Sequence, residues 1–289
     1  MIIQSLSIAV PAACGNDCAF CVAHMHRDAY VNQIEKNTRF FDLYEADYIN
    51  RMAYARDNGC NAVMLTGNGE PLMNRPFLKF FANCNRLLSQ PFRQIELQTS
   101  GMLLDDEYLR FLRNTVSLSV VSLSLSHLDS DNNARYNQPR AEKFRVDIDR
   151  VCGEIKRYDF TLRLSLNMTD FFDAMSVRDI FGRARELGAD QLTFRVLYED
   201  DADGPESRWI REHRCSSELL DAIRAYVKEC GRPLNRLPFG AVKYSVDGIS
   251  VVVDEDCMST EVTENLKYLI LREDCKLYSH WDDKGSLVF

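Results

Sequence analysis

Three cysteines lie close together near the start of the chain, at Cys14, Cys18 and Cys21. Their Cys-x3-Cys-x2-Cys spacing places three thiols on one short loop, where thiolates can bind three irons of a 4Fe-4S cluster. No further cysteine follows before Cys60, so the fourth iron has no protein ligand on this loop. Such an iron can bind a second molecule, much as a catalytic zinc keeps an open position. The spacing therefore indicates a cluster that does chemistry at its open iron.

Zinc is the alternative occupant of these cysteines. A structural zinc ion takes four ligands, usually as a Cys-x2-Cys pair with a second pair elsewhere in the chain. His24 and His26 follow the cysteines closely, and either imidazole could complete a four-ligand site with the three thiolates. The same histidines could instead donate hydrogen bonds to the sulfur of a cluster. The residues alone leave both sites open, and a non-catalytic metal protein is the rival class.

The composition is that of an ordinary globular protein and restricts the class of partner. The chain has 289 residues, 46% of them hydrophobic and 27% charged, with a net charge of −8. Proteins that bind a nucleic-acid backbone usually carry a basic face, so we expect no nucleic-acid partner. The first residues lack the pattern of a signal peptide, and no apolar run reaches the length of a membrane span. We therefore expect no membrane association and a cytoplasmic protein whose cysteines stay reduced.

Apolar strands alternate with amphipathic helices through most of the chain. The strands are predicted at Ile2–Val10, Asn61–Thr66, Gln94–Thr99, Ser117–Ser126, Thr161–Met168 and Gln191–Tyr198. Helical spacing of apolar residues separates them, and Ser216–Cys230 is predicted as the last helix. This alternation predicts an α/β fold with a parallel sheet, and six units are too few for a closed eight-stranded barrel. Ligands of such sheets bind beyond the carboxyl ends of the strands.

The pattern changes after the last helix. Ala241–Ser245 and Ile249–Val253 flank an Asp-Gly pair and predict a β-hairpin. Tyr268–Arg272 and Lys276–His280 predict a second pair of strands. We therefore divide the chain into a core at 1–231 and a β-rich extension at 232–289, which we expect to cover the open side of the sheet. The polar segment Asp200–Arg214 is predicted as a loop over the substrate face.

A second motif follows the second predicted strand, as Gly67-Asn68-Gly69-Glu70-Pro71. Together with the cysteine loop, in which Phe20 precedes the last cysteine, it resembles the radical SAM superfamily. The resemblance implies an open six-unit (β/α)6 partial TIM barrel that binds a 4Fe-4S cluster and S-adenosylmethionine. It implies that the methionine chelates the open iron and that Gly69 and Glu70 receive its ammonium group. It also implies reductive cleavage to a 5′-deoxyadenosyl radical, with an electron donor such as flavodoxin or ferredoxin.

Two further strand ends are similar to those of the GTP cyclase of molybdenum-cofactor synthesis, a family within this superfamily. They are Gln98-Thr99-Ser100-Gly101 and Val121-Ser122-Leu123-Ser124-Leu125-Ser126. The similarity implies that Thr99 and Ser124 contact S-adenosylmethionine. The chain lacks the second cysteine triad of that family, because its late cysteines are widely separated. These are Cys215, Cys230, Cys257 and Cys275. GTP is therefore not implied as the substrate.

The fifth predicted strand carries polar residues at alternate positions, at Arg163, Ser165 and Asn167. Alternate residues of a strand lie on one face, so these three side chains are predicted to point together toward the cofactor. An arginine inside a parallel strand needs an anion or a hydrogen-bond network. A carboxylate of the cofactor or substrate and an internal ion pair with Glu96 or Glu70 both remain open. Arg195, in the sixth strand, poses the same choice.

These observations lead to one functional hypothesis with alternatives. We expect a radical SAM enzyme, an oxidoreductase or lyase, that transforms a small nucleotide-like or metabolite substrate. An activating enzyme that acts on a protein partner is the first alternative, and a non-catalytic zinc or iron–sulfur protein is the second. The sequence assigns no residue to the chemical step on the substrate.

Overall fold

The computed structural model describes residues 2–25, 40–200, 203–237, 241–254, 265–281 and 283–289. The strands are β1 Ile2–Ala9, β2 Ala62–Thr66, β3 Gln94–Thr99, β4 Val120–Leu125, β5 Thr161–Asn167, β6 Gln191–Arg195, β7 Arg232–Arg236, β8 Val242–Val246, β9 Ile249–Asp254, β10 Asn265–Leu271 and β11 Leu277–Tyr278. The helices are α1 Val22–Met25, α2 Glu45–Asp57, α3 Arg75–Leu87, α4 Asp106–Phe111, α5 Ser130–Asn137, α6 Ile148–Arg157, α7 Val177–Glu186, α8 Pro205–His213 and α9 Ser217–Cys230. All of the strands belong to one sheet, in the order β11-β10-β1-β2-β3-β4-β5-β6-β9-β8-β7.

The centre of the sheet is the six-unit core that the sequence predicts. Strands β1 to β6 pair in chain order, and every pairing is parallel. In β5, Leu162, Leu164 and Leu166 are fully buried on one face, and the polar residues alternate with them. The predicted α/β class and the open partial barrel are confirmed. The carboxyl ends of six parallel strands therefore meet at one edge of the sheet.

Helices α2 and α3 cover part of the outer face of this sheet, and each does so with one apolar side. Helix α3 buries Phe77 and Phe81, and α2 buries Tyr48 and Met52. Four later helices begin at a side chain that accepts a backbone N–H, which fixes where each starts. These caps are Asp105, Asp147, Ser176 and Ser216. Such a cap is a local signal, and the last helix, predicted from Ser216, begins at Ser217.

The β-rich extension joins both edges of the core sheet. On one side, β9 pairs in parallel with β6, and the β8–β9 hairpin turns at Asp247 and Gly248, which both have positive φ. On the other side, β10 pairs in parallel with β1 and antiparallel with β11. Both predicted strand pairs are confirmed. The extension adds strands at each edge of the core sheet. That it covers the open side and that the division falls at 231/232 both stay predictions.

Two helices lie where the sequence predicts none. Helix α8 occupies most of the segment that was expected to be a loop, Asp200–Arg214. Pro205 is in its first turn, and its buried face is Ser207 and Ile210, too short an apolar pattern to recognise. Helix α5 buries polar residues, so it has no apolar periodicity. In the described ranges, no helix combines the length and apolar character needed to cross a membrane.

Candidate active site

The three clustered cysteines line a cavity of about 330 Å³ at the carboxyl edge of the sheet, hereafter the cysteine-lined cavity. Most of the side chains predicted to bind cluster or cofactor line the same space. They are Cys14, Cys18, Phe20, Cys21, Gly67, Gly69, Glu70, Thr99, Ser124, Asn167 and Arg195. These residues come from the ends of β1 to β6, because parallel strands bring their carboxyl ends together.

The cysteine loop is held by the segment that follows α5. Asp17 N–H donates to the carbonyls of Asn137 and Gln138 at 3.2 and 3.0 Å, and Arg140 N–H donates to the Gly15 carbonyl at 2.8 Å. An exposed ion pair joins Arg140 to Asp17 at 2.9 Å. The backbone bonds carry more of the positioning than this ion pair, since exposed pairs contribute little. The loop thus owes its shape to a segment more than a hundred residues away.

The three thiols suit a cluster in which each binds a different iron. Burial raises the pKa of Cys14, Cys18 and Cys21, and neighbouring cysteines raise those of Cys14 and Cys18 further. Positive metal charge is needed to make all three thiolates. Within the part of the chain that the structure describes, no three His, Cys, Asp or Glu side chains converge to hold a single ion. His26 lies outside the described residues.

Asn137 is a residue of this site that the sequence did not reveal. Cys18 Sγ lies 3.4 Å from the Asn137 carbonyl oxygen, and Asn137 also lines the cavity. Its side chain accepts from Ser126 Oγ at 2.7 Å and donates to Asn133 Oδ1 at 3.2 Å. The i, i+4 pair of asparagines on α5 is the only local signal, and it also suits an ordinary polar helix face.

Both glycines of the Gly-Asn-Gly-Glu-Pro turn permit a close approach to the cysteine loop. A Cβ on Gly69 would lie 2.0 Å from the carbonyl oxygen of Ala12, and one on Gly67, at φ +150°, would lie 2.9 Å from that of Val10. Glu70 N–H donates to the Ala13 carbonyl at 2.9 Å. The turn and the loop therefore form one packed unit.

Glu70 is buried and its carboxylate receives four hydrogen bonds. Oε1 accepts from Leu72 N–H at 3.1 Å and Thr99 Oγ1 at 2.6 Å. Oε2 accepts from Ser100 N–H at 2.9 Å and Ser100 Oγ at 2.7 Å. Burial raises the pKa of Glu70 although these bonds oppose the change. Because all four acceptor positions are filled, Glu70 orients Thr99 and Ser100, and its contact with an ammonium group stays a prediction.

Arg163 and Ser165 lie away from the cysteine-lined cavity, in a second cavity within the barrel. Arg163 Nη1 donates to both oxygens of Glu96 at 2.6 Å, and Arg163 Nε donates to Gln191 Oε1 at 2.8 Å. Of the two partners considered for Arg163, the structure has the internal ion pair with Glu96. This pair already neutralises the guanidinium inside the barrel, and a contact of Arg163 or Ser165 with the cofactor stays a prediction.

Aromatic side chains lie over the cysteine loop. The ring centroids of Phe20 and Trp209 are 5.6 Å apart, and Trp209 also contacts Tyr136 at 5.1 Å and His213 at 4.5 Å. Trp209 belongs to α8, so the unpredicted helix shields one side of the cysteines. Cys257, one of the four late cysteines, lies outside the described residues.

The family model of the Radical SAM superfamily matches residues 8–169, which is more than half of the chain. The chain belongs to the radical SAM superfamily. This range includes the cysteine loop, the Gly-Asn-Gly-Glu-Pro turn and strands β2 to β5. The chain is therefore an enzyme that uses a 4Fe-4S cluster and S-adenosylmethionine. When bound, these two groups supply the one-electron reductive cleavage of a carbon–sulfur bond.

Solved structures share this fold at low identity. Native anSMEcpe with bound AdoMet has a TM-score of 0.62 at 15% identity, over 98% of this chain and 76% of that one. SuiB of Streptococcus suis has a TM-score of 0.58 at 13% identity, over 96% of this chain. Coproporphyrinogen III oxidase (HemN) of Escherichia coli, a radical SAM enzyme, has 0.54 at 14% identity, over 88% of this chain. This radical SAM enzyme spans 60% of the length of SuiB and 63% of HemN. No curated protein matches it.

Proposed function

We propose that this radical SAM enzyme acts on a small polar molecule that enters the barrel from the cysteine-lined cavity. One observation carries the proposal. Met64, Gln98, Arg195 and Tyr268 line both the cysteine-lined cavity and the second cavity within the barrel. The second cavity has a volume of about 540 Å³, within the range of small-molecule sites. A substrate there lies directly below the place where the radical forms.

In this proposal the chain's own residues divide the work by position. Cys14, Cys18 and Cys21 bind the cluster, and the packed turn at Gly67 and Gly69 presents backbone to the methionine. Five further residues hold S-adenosylmethionine or orient the groups that do. They are Phe20, Glu70, Thr99, Ser124 and Asn167. Arg195 lines both cavities.

A protein substrate is the second candidate. An anSMEcpe structure is described with a bound Cp18Cys peptide, at 15% identity to this chain. A peptide would have to pass the mouth of the cavity, where Phe20 packs on Trp209 and where Trp281 of the extension also lies. A polar cavity of this volume, reached past these rings, favours the small molecule. We also propose a cytoplasmic location and a flavodoxin or ferredoxin as the electron donor.

The test measures hydrogen abstraction directly. The anaerobically reconstituted full chain, expected to hold about four irons, is reduced with dithionite in the presence of S-adenosylmethionine. Extract from cells grown in heavy water is then added in two fractions, metabolites and proteins. We expect deuterated 5′-deoxyadenosine with the metabolite fraction only, and none with Cys18→Ala in either fraction.

Two results would count against the proposal. Deuterium transfer from the protein fraction alone would replace the small molecule with a protein substrate. A protein with a full cluster that forms no 5′-deoxyadenosine, even without substrate, would contradict the assignment of this cavity as the site of cleavage.

A further inference from the structure

The second cavity, hereafter the barrel cavity, has an unusual lining. The interior of a closed eight-stranded barrel is normally filled by branched apolar side chains. Here two polar rows cross the strands in register. Gln98, Ser122, Arg163, Gln191 and Ser250 form one row, and Ser124, Ser165 and Thr193 form the next. Ser122 and Ser165 are buried and the other members of the rows are half-buried, so this lining suits a polar occupant or water.

Buried Ser165 has an unused hydroxyl that faces this space. Ser165 is 2% exposed, it lines the barrel cavity, and its Oγ has no hydrogen-bond partner among the described residues. Arg195 Nε is likewise buried and without a partner in the described part of the chain. An unpaired buried hydroxyl or guanidinium N–H is costly, and a ligand that accepts hydrogen bonds would remove that cost.

The charges around the barrel cavity are unequal. Glu96 is the one carboxylate among its described lining residues, and Arg163 already pairs with it at 2.6 Å. Arg195 and Lys243 then leave two positive charges in the lining. Lys243 forms no ion pair with a described residue, and both burial and the neighbouring Arg163 charge lower its pKa. An anion beside Lys243 would offset both the cost of burying its charge and its repulsion from Arg163.

We propose that the barrel cavity binds an anionic oxygen group of the substrate, a carboxylate or a phosphate, through Lys243 and Arg195 with Ser165 as a neutral donor. This inference rests on the proposed function and adds the chemical class of the substrate. Lys243 belongs to the β8–β9 hairpin, so the extension contributes a specificity-determining residue to the barrel. The residues proposed to bind the cluster and S-adenosylmethionine line the neighbouring cavity, which shares Met64, Gln98, Arg195 and Tyr268 with this one.

The test titrates the holoenzyme, saturated with S-adenosylmethionine, with inorganic phosphate and with malonate at constant ionic strength, and glycerol is the neutral control. We expect a saturable rise in melting temperature with at least one anion and none with glycerol. Lys243→Met should weaken the binding of that anion by roughly tenfold, as loss of a charge-assisted hydrogen bond does. Ser165→Ala should weaken it less, and Lys243→Arg should largely retain it. Lys228→Met, at an exposed lysine on α9, is the matched control.

The readouts separate this inference from the proposed function. Formation of 5′-deoxyadenosine without substrate is measured beside the anion response, and Lys228→Met should keep the wild-type rate, because Lys228 lines neither cavity. An anion response absent from the wild type, or equal in Lys243→Met and wild type, overturns the anion site. Loss of 5′-deoxyadenosine formation in every protein, with the anion response intact, overturns the proposed function and leaves the anion site standing.

Discussion

Asn68 Nδ2 donates a hydrogen bond to Glu273 Oε1 at 3.2 Å, which joins the extension to the Gly-Asn-Gly-Glu-Pro turn. Glu273 follows β10, and β10 is parallel to β1, so Glu273 reaches the same edge of the sheet as the cysteine loop. The carboxyl group is 1% exposed, and its Oε2 has no hydrogen-bond partner in the described ranges. A late part of the chain therefore supports the turn on which the cofactor site is built.

Glu273 should make stability depend on pH. Burial raises its pKa from 4.5 to about 7, with Asp274 adding to the rise, while the bond from Asn68 and the charge of Arg272 oppose it. Between pH 4.5 and about pH 7 the folded protein keeps a proton on Glu273 that the unfolded chain releases. The stability of the fold therefore falls as the pH rises through this range. The upper limit of the loss is about 3 kcal/mol above pH 7.

Glu273→Gln should therefore be more stable than the wild type at pH 8 and similar to it at pH 5. Urea unfolding at both pH values measures this difference. Glu229→Gln, at an exposed position on α9, should show no such divergence. Equal pH profiles for Glu273→Gln and wild type would show that Glu273 is ionised in the fold.

The cysteine triad should be required as a set. Cys18→Ala removes one of three thiolates, and we expect the reconstituted protein to lose most of its iron and the absorbance of the cluster. Iron analysis and visible absorption under anaerobic conditions measure both. Cys230→Ala, at an exposed cysteine, should keep the wild-type iron content. A full cluster in Cys18→Ala would mean that another side chain serves as ligand.

The ion pair between Glu96 and Arg163 should matter for stability more than for cofactor binding. Arg163→Met leaves a buried carboxylate without its cation, which typically costs about 3 kcal/mol or more. Arg163→Met combined with Glu96→Gln should recover much of that loss, and a double-mutant cycle by urea unfolding measures the coupling.

S-adenosylmethionine affinity gives the second readout for Arg163. It should be nearly unchanged in the folded double variant, because neither residue lines the cysteine-lined cavity. Glu107→Gln, which breaks an exposed pair with Arg75, should change stability by less than about 1 kcal/mol. A large loss of affinity in the double variant would restore the idea that Arg163 serves the cofactor.

Trp209 should protect the cluster from oxygen. Trp209→Ala removes the ring that packs on Phe20 and opens a path to the cysteine loop, so the cluster should bleach several-fold faster in air. The decay of visible absorption after exposure to air measures the rate. Phe289→Ala removes a half-exposed ring that stacks on Tyr54, and the cluster should decay at the wild-type rate.

Much of this molecule is determined by local sequence. The cysteine spacing, the glycine turn and the alternation in β5 each depend on residues a few positions apart, and the geometry of loops and strands relates such residues directly. Helix starts were predictable for the same reason, since a capping side chain bonds to its own first turn. Helices α5 and α8 were not, because their buried faces are polar or very short.

The tertiary structure decided everything that depends on distant partners. The sequence left Arg163 with either an internal carboxylate or a carboxylate of the cofactor or substrate as its partner. Strands β3 and β5 lie on either side of β4, and this arrangement brings Glu96 within reach of Arg163. Asn137, Trp209 and Glu273 became part of the site only through packing. Their neighbours at the cysteines and the glycine turn lie far away in the chain, and no local pattern records which edge of a sheet a late strand joins.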